Sequence, residues 1–168
     1  MRLKTYATVD GARARVVIDI GYGDATEPGL NDVELAVLLD QPAPKLRAYS
    51  YETVIAEKFQ AIVALGLANT LLKDFYDVWM LAQTLGFKDD RLAQAIAATF
   101  ARRTTEIPTE PPDGLTAAFA NDPTKRQQWT AFVEQVTANP GDLGDVVDAL
   151  SLFLLPHARK ARELQAKQ

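Results

Sequence analysis

The sequence predicts an α+β protein, with a small, mostly antiparallel sheet of three or four strands followed by a C-terminal bundle of five or six helices. Three observations carry that reading. Residues 3–9 and 13–22 are rich in β-formers and are separated by Asp10-Gly11, a dipeptide that favours a tight hairpin. After Ser50 the apolar spacing becomes helical, with Val54, Ile55, Phe59, Ile62 and Val63 recurring on one face. Gly66, Gly86 and the proline-rich stretch 107–113 then cut the remainder into segments of helical length.

In the second strand Ala14, Val16, Ile18 and Ile20 share one face, while Arg13, Arg15, Val17 and Asp19 share the other, so Asp19 falls on the more polar side. Residues 33–39 read as a third strand, and 45–49 as a short fourth after the break at Pro42 and Pro44. Ser50 is placed to cap the first helix. A second helix carries Leu71, Leu72, Phe75, Val78, Trp79 and Ala82 to a stop at Gly86, and the pair forms a helical hairpin. Segments 89–103, 114–120, 123–138 and 143–162 supply the later helices. The expected division is a sheet unit over 1–49 and a helical domain over 50–168.

At 168 residues, 48% apolar and 24% charged, the chain has the composition of a folded globular protein. It has no cysteine, which excludes disulfides, thiolate nucleophiles and cysteine-held zinc, and its one histidine, His157, cannot form a histidine metal site alone. A net charge of −4 gives no global attraction to nucleic acid, although a local basic patch can still steer a polyanion. The opening residues Met1-Arg2-Leu3-Lys4-Thr5 lack an apolar signal region, and no stretch reaches the roughly 18 apolar residues that span a bilayer. A cytoplasmic location is expected.

Three groups of residues could carry chemistry. Asp19 ends a strand and runs into Gly21-Tyr22-Gly23-Asp24, a place where a carboxylate can hold a metal beside a substrate loop; it could equally face solvent or pair with Arg15. Lys58 sits mid-helix among apolar or small neighbours, where it could hold a phosphate as a point charge or lie on a solvated face. Asp74 and Asp77 are three apart on one face of the next helix, Lys73 and Asp77 are four apart and can pair, and acidic residues in a first turn also suit the helix dipole. His157 reads as a surface or helix-end residue, and Trp79 and Trp129 as core or interface residues. Arg102-Arg103, Lys125-Arg126 and Arg159-Lys160-Ala161-Arg162 read as solvated helix ends that together could face RNA.

The string Ile18-Asp19-Ile20-Gly21-Tyr22-Gly23-Asp24, the segment containing Ala56-Glu57-Lys58-Phe59-Gln60-Ala61, and the segment from Asn69-Thr70 through Lys73-Asp74-Phe75-Tyr76-Asp77 resemble the AbiEii/AbiGii toxin family of nucleotidyltransferases. The likeness is close over the first half of the chain and looser over the later helices. It implies a polymerase-beta-like nucleotidyltransferase sheet, here partial, followed by a helical domain. It implies that Asp19 stands for the later active-site carboxylate and metal ligand, that Lys58 matches the lysine of the helical motif, and that Lys73, Asp74 and Asp77 match the lysine and aspartates of the next. Mg²⁺ would then be held against a nucleoside triphosphate, with Lys58 and Lys73 binding the nucleotide and a helical aspartate orienting the attacking hydroxyl. Implied partners are the triphosphate, an acceptor such as tRNA, and a cognate antitoxin.

The chain departs from the family pattern in three ways. It has no Gly-Ser or Gly-Thr phosphate loop, no Asp-x-Asp pair, and Leu71 where the family has arginine two residues before the lysine. In the family the first two lie upstream of the point at which this chain begins. The chain is therefore expected to be the C-terminal portion of such a toxin, separated from its N-terminal half by truncation, gene splitting or a wrong start codon. It is expected to be inactive alone, with a homodimer partner or the missing half covering its sheet edge. The alternative is a non-catalytic helical module that binds nucleic acid or protein.

Overall fold

The computed structural model describes residues 1–23, 25–37, 40, 42–87 and 90–167. Its first element is the expected hairpin, β1 (Arg2–Val9) and β2 (Ala12–Asp19), antiparallel with Arg2 opposite Asp19 and Val9 opposite Ala12. Asp10 and Gly11 both take positive φ, 48° and 80°, as a two-residue turn between twisted strands demands. A second ribbon pairs β3 (Leu30–Glu34) with β4 (Lys45–Tyr49), Leu30 lying opposite Tyr49.

The strands form two separate two-stranded ribbons instead of one sheet of three or four. The third strand also starts earlier than the spacing suggests, at Leu30, because its extent is set by pairing with β4; one further backbone bond, Leu35 N–H to the Pro44 carbonyl at 3.0 Å, closes that ladder. Leu38 and Leu39, assigned to this strand from sequence, lie outside the described residues, as do Asp24 and Asp89.

Among the described residues six helices follow: α1 (Tyr51–Leu65), α2 (Leu72–Thr84), α3 (Arg91–Arg102), α4 (Ala117–Ala120), α5 (Pro123–Val133) and α6 (Leu143–Gln165). Their ends obey local chemistry. Ser50 is fully buried, and its hydroxyl accepts the Thr53 N–H at 3.2 Å, capping α1 as predicted. Gly66 ends α1 at φ 49°, a left-handed conformation that glycine adopts without strain. Asp122 and Asp142 cap α5 and α6 in the same way as Ser50, and Pro123 occupies the first turn of α5, where its missing N–H is no loss.

The core lies wholly within the helices and their connections. Ile55, Phe59 and Ile62 of α1 meet Leu92, Ile96 and Phe100 of α3, with Val146, Leu150 and Leu154 of α6 completing one cluster. The Phe59 and Phe100 rings stand 5.3 Å apart, and Phe75 of α2 stacks on Phe119 of α4 at 4.9 Å. Trp129 is buried and donates from Nε1 to the Gly141 carbonyl at 3.0 Å, while Trp79 packs against the same core, so neither indole is an open stacking platform. No helix of the described residues is long and apolar enough to cross a membrane.

Candidate functional site

The helical hairpin α1–α2 brings four of the sequence-predicted residues together. Lys58, at mid-α1, projects its ammonium between two carboxylates from the first two turns of α2: it pairs with Asp74 Oδ1, and with Asp77 Oδ2 at 2.8 Å. Lys73 pairs with the same Asp77 oxygen at 2.5 Å, the i,i+4 contact expected from spacing. Lys58, Asp74 and Asp77 are each only about a fifth exposed, whereas Lys73 is 70% exposed. The four charges cancel in sum.

Electrostatics follow from that enclosure. Burial works against the charged form of Lys58, but hydrogen bonds to Asp74 and Asp77 outweigh it and raise its pKa above the ordinary lysine value. Burial likewise opposes ionisation of Asp77, yet the bonds from Lys58 and Lys73 prevail and hold its pKa below the usual carboxylate range. Lys58 and Asp77 are therefore both held in their charged forms.

The turn before α2 fixes this meeting. Asn69 is fully buried; its Oδ1 accepts the Leu71 N–H at 2.8 Å, and its own N–H reaches the Gly66 carbonyl at 3.1 Å, a side-chain-stabilised reversal that aims α2 back along α1. Lys125 of α5, itself buried, donates to the Asn69 carbonyl at 2.8 Å and lies 4.6 Å from the Phe119 ring centroid. Sequence reasoning missed both roles. An asparagine just ahead of a helix was the available signal for the first; nothing local distinguishes Lys125 from a solvated lysine.

A cleft of about 360 Å³ opens beside the cluster, lined by Tyr49, Val54, Glu57, Lys58 and Asp74. Glu57, the neighbour of Lys58, receives Arg103 Nη2 on Oε2 at 2.8 Å, while its Oε1 is shielded from solvent with no hydrogen-bond partner. Arg102, the preceding residue, donates to the carbonyl of Gly23 in the loop after β2. The end of α3 thus ties the glycine loop and the Lys58 helix to one anchor.

Asp19 is not part of this gathering. Its carboxylate is gripped by the Arg2 guanidinium directly across the ribbon, Nε to Oδ1 at 2.7 Å and Nη2 to Oδ2 at 2.9 Å, with both side chains more than 60% exposed. Those hydrogen bonds hold the Asp19 pKa below its ordinary value. The partner is Arg2, where sequence spacing suggested Arg15 or solvent, because the two-residue turn sets Arg2 opposite Asp19. Among the described residues no group of three His, Cys, Asp or Glu side chains is placed to hold a metal ion, and between Asp74 and Asp77 the position a cation would take belongs to the Lys58 ammonium. These residues do not fit a magnesium site.

The basic clusters lie mostly at exposed helix ends, as expected, and several of their members are bonded to oxygens of the fold. Besides Lys125, Arg102 and Arg103, Lys160 pairs with Asp90, and Arg162 donates to the Pro108 carbonyl. His157 is half-buried against the Phe153 ring, with centroids 5.4 Å apart; burial, followed by the nearby Lys160 charge, lowers its pKa.

Strand ribbons joined to a helical bundle, with a lysine clasped by two aspartates of a following helix beside a cleft, define an α+β protein of the kind that pairs a small sheet with a helical domain. The chain belongs to the AbiEii family: the model described as "Nucleotidyl transferase AbiEii toxin, Type IV TA system" matches residues 1–159. That match runs into α6 and so covers nearly the whole chain, further than the sequence likeness over the first half. The family is one of toxin–antitoxin nucleotidyltransferases, which carries a nucleoside triphosphate as substrate and a cognate antitoxin as partner. No curated protein and no solved structure matches the chain.

Proposed function

We propose that this chain serves transfer of a nucleotide from a nucleoside triphosphate to an RNA acceptor such as tRNA, with the cleft beside Lys58 receiving the triphosphate. The observation that carries the reading is the meeting of Lys58 and Asp74 in the wall of that cleft from two helices, with Asp77 paired to Lys58 behind them. Asp74 and Asp77 hold the Lys58 ammonium oriented and charged, so that an arriving phosphate oxygen can replace one carboxylate as its partner. Exposed Lys73 supplies a second cation at the same edge. The aspartate released from Lys58 can then accept a hydrogen bond from the attacking hydroxyl. Where these residues act, they do so in the compartment that holds the triphosphate pool, the cytoplasm.

We further infer that these 168 residues do not turn over unaided: the sequence has no Asp-x-Asp pair, and the described carboxylates form no three-ligand group. The second reading, a non-catalytic interaction module, is favoured by one observation, the closed ion pairing of Lys58. Incubation with labelled nucleoside triphosphates, Mg²⁺ and tRNA, alongside triphosphate binding by titration, separates these readings. The expected result is binding weakened about tenfold or more by Lys58→Met, with no transfer. Robust transfer abolished by Asp19→Ala would overturn the inactivity. Absence of any triphosphate binding would leave the module reading standing and sink the first.

A further inference from the structure

The β1–β2 ribbon has two unlike faces. The register places Leu3 with Ile18, Thr5 with Val16 and Ala7 with Ala14 on one side, an apolar surface. On the other it places Lys4 beside Val17, Tyr6 beside Arg15, and Thr8 beside Arg13, next to the Arg2–Asp19 pair. Arg13 lies over the Tyr6 ring at 3.8 Å from its centroid, which fixes these side chains on one face. Lys4, Arg13 and Arg15 are all exposed, and among the described residues no carboxylate pairs with any of them. In the helical half Lys125, Arg102, Arg103, Lys160 and Arg162 are each bonded to an oxygen of the fold, Lys125 from a buried position and Arg102, Arg103 and Lys160 from exposed ones.

We propose that this basic face of the β1–β2 ribbon binds the phosphate backbone of a nucleic acid. The chain as a whole carries −4, so three unpaired cations grouped on one exposed ribbon form a local field of opposite sign to the rest of the molecule. Arg13 and Arg15 alternate along β2 about 6.6 Å apart, and Lys4 stands on β1 one pair beyond Arg15, so the three cations form a slanting line across the ribbon that a polyanion strand can follow. Tyr6, 56% exposed on the same face, adds an aromatic surface already carrying the Arg13 guanidinium, a combination suited to phosphate and base together. The proposal rests on the transfer reading only in naming this face as the acceptor's docking surface; the interaction itself needs neither triphosphate nor catalysis.

Fluorescence anisotropy of the full chain with a labelled RNA stem–loop, without nucleotide, tests it. Three phosphate contacts predict a log–log salt slope of about −2 to −3, or a loss of roughly 40-fold in affinity between 50 and 200 mM salt. Lys4→Glu with Arg13→Glu and Arg15→Glu is expected to abolish most of that slope and weaken binding about tenfold or more. The neutral set Lys4→Gln, Arg13→Gln and Arg15→Gln guards against hairpin disruption by like charges, and should give a smaller loss with an unchanged melting profile. Arg126→Glu with Arg159→Glu, exposed cations of α5 and α6, should leave affinity within about twofold. Unchanged binding in both triple variants, or an equal loss in the helical pair, overturns the proposal. Preferential binding of polyglutamate over RNA also overturns it, marking the face as a protein-docking surface. A matching DNA stem–loop distinguishes the source of phosphate: weaker binding than RNA points to an RNA acceptor, and equal binding to a backbone contact blind to the sugar.

Discussion

The β1–β2 ribbon and the helical body answer the same physical demands in opposite ways. In the body, apolar side chains close on one another and charged groups find partners inside the fold: Phe59, Phe75 and Phe100 have no exposed surface, and Lys58, Arg103 and Lys125 are each matched to an oxygen. In the ribbon, Leu3, Val17 and Ile18 remain over 40% exposed, and three cations have no carboxylate partner among the described residues. Two strands without a covering layer are marginal in water, so the ribbon is expected to be the less stable of the two regions.

The widest gap between the regions is expected on truncating buried rings. Phe59→Ala removes a fully buried side chain from the contact with Phe100 and should lower unfolding stability by about 3–5 kcal/mol. Ile18→Ser on the ribbon should stay within about 0.5 kcal/mol, both read from urea midpoints. A ribbon substitution as damaging as the core one would erase the contrast. Next in size is Lys58→Met, which leaves the largely enclosed Asp74 without its cation and Asp77 with Lys73 alone. A loss of about 2 kcal/mol is expected, between the values for exposed and fully buried pairs, and adding Asp77→Asn should restore part of it.

Acidity sharpens the same point. Because the Asp77 pKa is lowered in the fold, its contribution is complete above the unfolded value of about 3.9 and is lost as pH falls through the folded value. Lys58, with a raised pKa, contributes fully below about 10.4 and loses that as pH rises through its folded value. Asp77→Asn should therefore flatten the acid limb of a stability–pH curve measured by thermal melting while leaving its shape near neutrality. His157 gives a smaller effect: neutral in the fold with a lowered pKa, it contributes above about 6.5 and loses that as pH falls through the folded value, so His157→Gln should reduce the decline just below pH 6.5. Smallest of all, Asp19→Ala should leave the denaturation midpoint where it is, since its partner Arg2 is equally solvated.

What sequence revealed tracks how local each cause is. Asp10-Gly11 announced its hairpin, Ser50 and Gly66 marked the ends of α1, and the i,i+4 spacing of Lys73 and Asp77 gave a true ion pair, because each depends on neighbours within a turn or two. Counting outward from the two-residue turn would also have found Arg2 opposite Asp19. The Lys58–Asp74 contact spans 16 positions and depends on the angle set at Asn69, which itself depends on Lys125 reaching back 56 positions from α5. The family likeness pointed to Lys58, Asp74 and Asp77, whereas their mutual neutralisation was visible only once the helices were packed. The split into two ribbons was equally non-local, since spacing shows that a strand exists and not which strand it joins.

Native-state hydrogen exchange on the full chain tests the division between body and ribbon most directly. Amides of α1, α3 and α6 should exchange only through global unfolding, while those of β1 and β2 exchange orders of magnitude faster and slow markedly when the RNA stem–loop is added. Ribbon amides protected as strongly as the helices in the free chain would contradict the account.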